Sequence, residues 1–393
     1  MSRLFIIVLT GLLLGLNAFA NDVLLPAFFA ISEELRVPLE AAQGLIPFFL
    51  IAAGVGQLLA GPMSDRFGRR PIMLAGLGLF ILGSLLCGLA DGILTLRLGR
   101  MLQGAGSAFG VVASRATLRD THSGVLLGRT MALAMTIFAI GPITAPLVGV
   151  GFLALGGWRA IFVGVAAVGA AILTAVVFKH AETHFNRNPD ALAPRSLAAA
   201  FVAVVKHPQS RRYLAISCLQ QSLIVMMVSN APRLFKTQFG IDGATFAIMF
   251  AVTAFGIVIG QFINHRLIAA LGLKAATTAA AALVAGVMAG LAVLATTGMM
   301  TPSLFVAGIS LFNVGFLVVL ANGASLVLDP HHTIAGVAAS FFGFATQVVG
   351  SSLVLAALPY VQGSMIVWSY LMTGIALVVL VLAATARITT VRS

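Results

Sequence analysis

Charge is what this sequence has least of. Asp, Glu, Lys and Arg make up 9% of its 393 residues, against 60% hydrophobic residues and a mean hydropathy of +1.07. So little charge cannot clothe a water-soluble core, and the composition is that of an integral membrane protein with no catalytic role expected. Cysteine is nearly absent too. Cys87 and Cys218 lie inside apolar runs without a CxxC or His partner, which leaves no basis for a redox centre, a disulfide framework or a metal site. No GxxxxGK[ST] phosphate loop and no appended soluble domain is present, which argues against direct coupling to ATP. The net charge of +12 would suggest nucleic acid in a soluble protein; here the excess sits in loops, so topology accounts for it and no nucleic-acid partner is expected.

What the chain has instead is long apolar runs. A bilayer core about 30 Å thick needs about 20 helical residues. Runs bounded by polar, Gly or Pro breaks give twelve: 4–31, 39–60, 72–90, 93–113, 131–153, 158–178, 213–235, 244–267, 275–295, 302–320, 334–358 and 366–386. The expected fold is all-α, with every element embedded in the lipid bilayer. Ala18-Phe19-Ala20 after the first apolar run imitates a signal-peptide cleavage site, but apolar character resumes after Asp22 and continues to Ile31, so a retained span is expected.

With the N-terminus inside, alternation sends most of the 23 Lys and Arg to one side. Among them are Arg3, the 61–71 loop, Arg115, Arg119, Arg129, the central segment, Arg266, Lys274, Arg387 and Arg392. Both termini are therefore expected in the cytoplasm. The longest polar interval falls after the sixth span and divides the chain into a six-helix bundle at 1–179, a linker at 180–212 with room for a surface helix, and a second bundle at 213–393. The linker offers no evident chemistry. Aligning Gly56-Gln57 with Gly260-Gln261 also brings Gly68 onto Gly272 and Arg70 onto Lys274, an echo in which Ala269 replaces Asp65.

The polar stretch Gly61-Pro62-Met63-Ser64-Asp65-Arg66-Phe67-Gly68-Arg69-Arg70-Pro71 separates spans 2 and 3. Gly61 and Gly68 permit positive φ for a tight hairpin, and Arg66, Arg69 and Arg70 mark its side as cytoplasmic. The pattern G-P-x-S-D-R-x-G-R-R-P resembles the signature loop of major facilitator superfamily transporters. The resemblance implies two six-helix bundles related by a parallel repeat, with a small-molecule site near the midplane, and a monomer. Asp65 is expected to bond Arg66 or Arg70 and to meet the N-terminal end of span 11 near Ile334, with Asp120 joining the cluster.

Asp22 is the sharpest candidate for chemistry, because a carboxylate inside a span is costly and faces a cavity or a partner. Counting 1.5 Å per residue from the outer ends of spans 1 and 4 gives Asp22 and Arg100 a similar depth of roughly 12 Å, so the two are expected within reach of each other. Access of water or substrate to such a pair shifts the carboxyl between charged and neutral forms. Arg100-Met101-Leu102-Gln103-Gly104-Ala105-Gly106 resembles the R-x-x-Q-G-x-G motif of the same superfamily, whose arginine is associated with proton transfer. That implies the same role for Arg100, with Gln103 on its face and Gly104 permitting close helix approach.

In span 5, Gly141, Pro142, Ala145, Pro146 and Gly149 combine two kinking prolines with a small-residue stripe, a plausible hinge for alternating access. This stretch resembles the antiporter motif G-x-x-x-G-P-x-x-G-G, in the version of the Bcr/CflA branch of drug:proton antiporters. Weaker matches are Leu25-Pro26, Arg119-Asp120, Trp158-Arg159 and Glu182-Thr183. Asn17, Gln43, Gln221, Asn230, Asn313, Asn322 and Gln347 are candidates to line a cavity, each of which also serves as helix-to-helix glue. Glu33 and Glu34 read as loop charges. The expectation is a proton-coupled exporter of amphipathic or apolar drug-like molecules in a bacterial inner membrane, with the proton as coupling ion and no cofactor. A carrier of a native metabolite such as a sugar or amino acid is the alternative, and a transport-inactive membrane sensor a remote third.

Overall fold

The computed structural model describes residues 2–185, 187 and 189–386. No strand occurs among them, and the fold is all-α. In lipid every backbone N–H and C=O needs a partner inside the protein, which helices provide. The first crossing is α1 (Arg3–Asp22), a 3₁₀ turn at Leu25–Ala27 and α2 (Phe28–Glu34). Pro26 causes the break, since it has no N–H to return to the preceding turn. The second is α3 (Leu39–Gln43) with α4 (Leu45–Phe67), the third α5 (Arg69–Gly88) and the fourth α6 (Ile93–Thr121).

Next, α7 (Gly124–Lys179) has 56 residues, about 84 Å of helix and far more than one crossing requires. It leaves helical dihedrals only at Gly156 and Gly157, where φ is +69° at the second glycine, and folds there into spans 5 and 6. Beyond α8 (Pro194–Lys206) come α9 (Pro208–Phe239), α10 (Gly243–Thr296), α11 (Pro302–Leu328), α12 (Ala335–Val361) and α13 (Met365–Ala384). Helix α10 folds at Gly272 in the same way.

Nine helices among the described residues are long and apolar enough to cross a membrane. Dividing α7 and α10 at their glycines, and adding α6, whose Arg97, Arg100, Arg115 and Arg119 dilute its apolar character, gives twelve crossings. Large apolar side chains such as Leu82, Leu94 and Phe262 face outward, as a lipid solvent permits. Arg387 and Arg392 lie outside the described residues.

The chain forms two compact units, Met1–Leu197 and Ala198–Ser393. In the first, α6 packs against α1, α4 and α5. Close approach is built from glycine: a Cβ on Gly104 would lie 2.1 Å from the Phe49 carbonyl oxygen of α4, and one on Gly106 2.5 Å from the Gly76 carbonyl of α5. The repeat suggested by the sequence has a geometric counterpart. Gly68 adopts φ +105°, ψ 161° and Gly272 φ +76°, ψ 166°, each ending the second crossing of its unit.

Candidate functional site

Arg100 is completely buried on α6, and its charge is met by neutral oxygens. Its Nη2 donates to Asn21 Oδ1 and its Nη1 to Gln103 Oε1, both at 2.5 Å; Nη1 also reaches the Ala20 carbonyl at 3.1 Å and Nε the Leu45 carbonyl at 3.3 Å. The Phe49 ring lies 4.4 Å below the guanidinium. Backbone geometry explains why Ala20 can accept. At the end of α1 the Leu24 N–H turns to Asn21 O instead of the carbonyl four residues back, which frees Ala20 O for the arginine. Gln103 passes the network to Ser84 of α5 at 2.8 Å.

Three rungs tie α1 to α6: Asn21 with Arg100, Asn17 Nδ2 with Ser107 Oγ at 3.0 Å, and Thr10 Oγ1 with the Ser114 carbonyl at 3.4 Å. Arg100, Ser107 and Ser114 recur every seven residues, so they share one face of the helix. Asp22 is 9% exposed and forms no ion pair or side-chain hydrogen bond among the described residues. The arginine thus takes the neighbour of the expected carboxylate.

The span 5 stripe packs on this part of α1. Ala145, Pro142, Pro146 and Gly149 are buried, Gly141 sits against Gly15, and a Cβ on Gly149 would lie 2.2 Å from the Val23 carbonyl. Both prolines keep helical dihedrals, and within α7 only Gly156 and Gly157 depart from them. The Gly149 end of the stripe therefore meets the chain where α1 gives way to the break before α2.

At the opposite end of the unit, Arg69 is the hub. Its Nη1 donates to Asp65 Oδ1 at 2.5 Å and Ser64 Oγ at 3.0 Å, its Nε donates to Asp120 Oδ2 at 2.8 Å, and its Nη2 lies 3.4 Å from His184 Nδ1. Asp65 thus bonds Arg69 rather than Arg66 or Arg70, across the bend at Gly68 that separates α4 from α5. Arg66 is exposed over the Phe67 ring, and Arg70 Nη2 donates to the Val177 carbonyl. Nor is the stretch from 61 to 71 an open hairpin: α4 runs through Gly61 and Pro62 to Phe67, and Gly68 alone has positive φ there.

The segment read as an inert linker supplies the remaining piece. Glu182 Oε1 accepts the Arg69 N–H at 2.9 Å and Oε2 the Arg70 N–H at 3.2 Å, which places a carboxylate on the N-terminus of α5. Burial pushes the Glu182 carboxyl up, but the backbone N–H groups of His184, Arg69, Thr183 and Arg70 outweigh it and hold it below the usual carboxylate range. Glu34 is not a mere loop charge either. It accepts the Trp158 indole N–H at 2.7 Å and pairs with Arg159, whose other nitrogen reaches the Ala90 carbonyl at 3.0 Å.

In the second unit Gln221 Nε2 donates to Gln347 Oε1 at 3.3 Å, joining α9 to α12, and Asn313 Nδ2 donates to the Thr253 carbonyl at 2.9 Å. Asn230 folds back on the Met226 carbonyl of its own helix, while Asn322 and, in the first unit, Gln43 are buried. Most of these side chains serve inter-helix contacts. Among the described residues no three His, Cys, Asp or Glu side chains form a metal-binding group. Sequence reasoning missed Asn21, Ser84 and the anchoring role of Glu182. Only the pairing of Glu34 with Trp158-Arg159 left a readable signal, an acidic helix end and a basic aromatic pair.

Two helical bundles with a buried charge network and a charged bend define a multi-pass membrane carrier, not an enzyme. The family model for the Major Facilitator Superfamily matches residues 10–355, and the chain belongs to that family of secondary transporters. It is 32% identical over 318 residues to the multidrug resistance protein MdtL of Escherichia coli O17:K52:H18, covering 79% of this chain and 78% of that one. To the bicyclomycin resistance protein homolog of Haemophilus influenzae it is 27% identical over 350 residues, covering 88% and 87%. A solved D-xylose-proton symporter shares the fold with a TM-score of 0.75 at 16% identity, over 96% of this chain and 97% of that one.

Proposed function

We propose that this transporter exports amphipathic or apolar drug-like molecules in exchange for protons, with Asp22 as the titrating group and Arg100 as its electrostatic partner. One observation carries the reading: a buried carboxylate without a partner sits one residue from Asn21, which holds a fully buried arginine. With Asp22 protonated, Arg100 rests on Asn21, Gln103 and two carbonyls. Loss of the proton creates a carboxylate that competes for the guanidinium, since an opposite charge outbids a neutral amide in a low-dielectric setting. The competition acts at the break between α1 and α2, against which the Gly149 end of the span 5 stripe is packed.

Exchange follows if substrate and proton each stabilise a different arrangement of this segment. Moving one proton inward releases about 2.3 kcal/mol per 100 mV and about 1.4 kcal/mol per pH unit, enough for a tenfold to hundredfold substrate gradient. The names of the two relatives, one for multidrug and one for bicyclomycin resistance, support a drug-like cargo. The reading places a monomer in a bacterial inner membrane with both termini in the cytoplasm, the side of the Arg69 cluster.

The test is accumulation of amphenicols, dyes and lipophilic cations in cells producing the wild type, Asp22→Asn or Arg100→Ala, with and without a protonophore. Wild type should lower accumulation of at least one compound, and the protonophore or either substitution should abolish the effect. If no compound responds while the protein is correctly inserted, drug export is wrong. Export that survives Asp22→Asn and the protonophore removes the proton.

A further inference from the structure

Arg115 is a cation for which the described residues of the first unit provide no paired anion. It projects from α6 two turns before the helix ends, exposed, while Ser114 and Ala116 on either side are buried. Among the described residues it makes no hydrogen bond and no ion pair, and one turn farther along α6 stands a like charge, Arg119. Among the described residues, the carboxylates at this end of the unit are committed elsewhere. Asp65 and Asp120 are both taken by Arg69, and Glu182 by backbone N–H groups. Asp22 lies beside the Arg100 network, fifteen residues and about 22 Å farther along α6. An arginine on a membrane-spanning helix faces water, a carbonyl or an anion, and an anionic group on a transported molecule can supply that anion.

We propose that Arg115 is the recognition residue for a carboxylate, or a similarly compact anionic group, on the transported molecule. The inference rests on the export reading for the direction of entry and narrows its cargo: an amphipathic molecule bearing an acidic group binds better than the same molecule with that group masked. The planar guanidinium suits a carboxylate, to which it offers two parallel N–H donors. An acidic lipid headgroup presents related chemistry, and the experiment separates the two sources.

The assay is equilibrium binding, by fluorescence polarisation, of rhodamine 110 and its methyl ester rhodamine 123 to the purified full-length protein in phosphatidylcholine nanodiscs. The dyes differ only in a free or esterified carboxyl, and no gradient is applied. Wild type should bind the acid about tenfold more tightly than the ester. Arg115→Gln should bring the ratio to about one while leaving ester affinity unchanged, and Arg115→Lys should retain part of the preference. An equal ratio in wild type, a preference that survives Arg115→Gln, or no measurable binding of rhodamine 110 each overturns the proposal. So does a preference that disappears when a tenth of the lipid is phosphatidylglycerol, because the headgroup is then the natural occupant. Failure of proton-driven export leaves this binding ratio untouched, so the two readings fail separately.

Discussion

Gly68→Ala separates backbone strain from a steric conflict, because the second unit contains the same bend without the conflict. At both Gly68 and Gly272 the backbone occupies a region of positive φ with extended ψ. An L-residue there costs about 1–3 kcal/mol. A Cβ at position 68 would also lie 2.5 Å from Glu182 Oε2, whereas one at 272 meets nothing within 4 Å. The carboxylate must therefore leave the Arg69 and Arg70 N–H groups, and losing a helix cap of this kind costs about 1–2 kcal/mol. Gly272→Ala should lose about 1–3 kcal/mol and Gly68→Ala about 2–5 kcal/mol. In a Glu182→Ala background, itself worth about 1–2 kcal/mol, the excess at position 68 should vanish. Cys87 and Cys218 are free, buried and in different units, so a thiol-reactive fluorophore in nonionic detergent reports the unfolding of each. Equal losses at 68 and 272, or an excess that persists without Glu182, would refute the carboxylate's role.

Because the folded Glu182 carboxyl is held below its ordinary value, its contribution is complete above the unfolded value of about 4.3 and declines as pH falls through the folded one. The wild-type melting temperature should therefore fall more steeply than that of Glu182→Gln between about pH 5 and pH 3, and parallel curves would contradict this. Gly104→Ala should cost about 1–3 kcal/mol because the Phe49 backbone cannot yield. Gly78→Ala, with nothing within 4 Å, should be neutral or stabilising by up to about 1 kcal/mol; melting of the two variants side by side checks the contrast. Asp120→Asn, which leaves the buried Arg69 with one carboxylate fewer, should lose about 1–3 kcal/mol. Asp329→Asn, at an exposed carboxylate without an ion pair among the described residues, should stay within about 0.5 kcal/mol. A larger loss for Asp329→Asn would mean that this carboxylate holds a stabilising contact, contrary to the reasoning.

What was legible in the sequence follows the physics that generates a pattern. Apolar length and the placement of Lys and Arg announce crossings, so the all-α class and the breaks between spans 5 and 6 and between spans 8 and 9 were readable. The motif around Arg69 announced a charge cluster with Asp120. The partners of Arg100 were hidden for a different reason: two of them are carbonyl oxygens, which every residue carries, and one is available only because the Leu24 N–H turns to Asn21 at the end of α1. Asn21 sits one residue from the expected carboxylate, a rotation of about 100° around the helix that counting depth along its axis cannot resolve. Glu182 was missed because it acts from a segment without periodicity, and its partners are backbone N–H groups.

The two units divide charge unequally, and under the proposed proton-coupled export that division bears on how the work is shared between them. Every buried Asp, Glu, Lys or Arg among the described residues, namely Asp22, Arg69 and Arg100, lies in the first unit. The second has Ala269 and Leu273 where the repeat places Asp65 and Arg69, and its inter-helix contacts use amides such as the half-buried Gln221 with Gln347 and the buried Asn313 with Thr253. Moving a buried charge away from its partner costs several kcal/mol, whereas an amide pair costs about 1 kcal/mol to rearrange. On the proposed export reading, the first unit is suited to hold discrete states that a proton selects, and the second to repack around different molecules. On the export reading, Gln221→Leu should change the ranking of exported compounds and leave inhibition by a protonophore intact. Asn21→Ala should weaken the protonophore-sensitive component for every compound alike. Efflux profiles of the two variants over one compound panel decide this, and an unchanged ranking in Gln221→Leu would mean that the amides of the second unit serve packing alone.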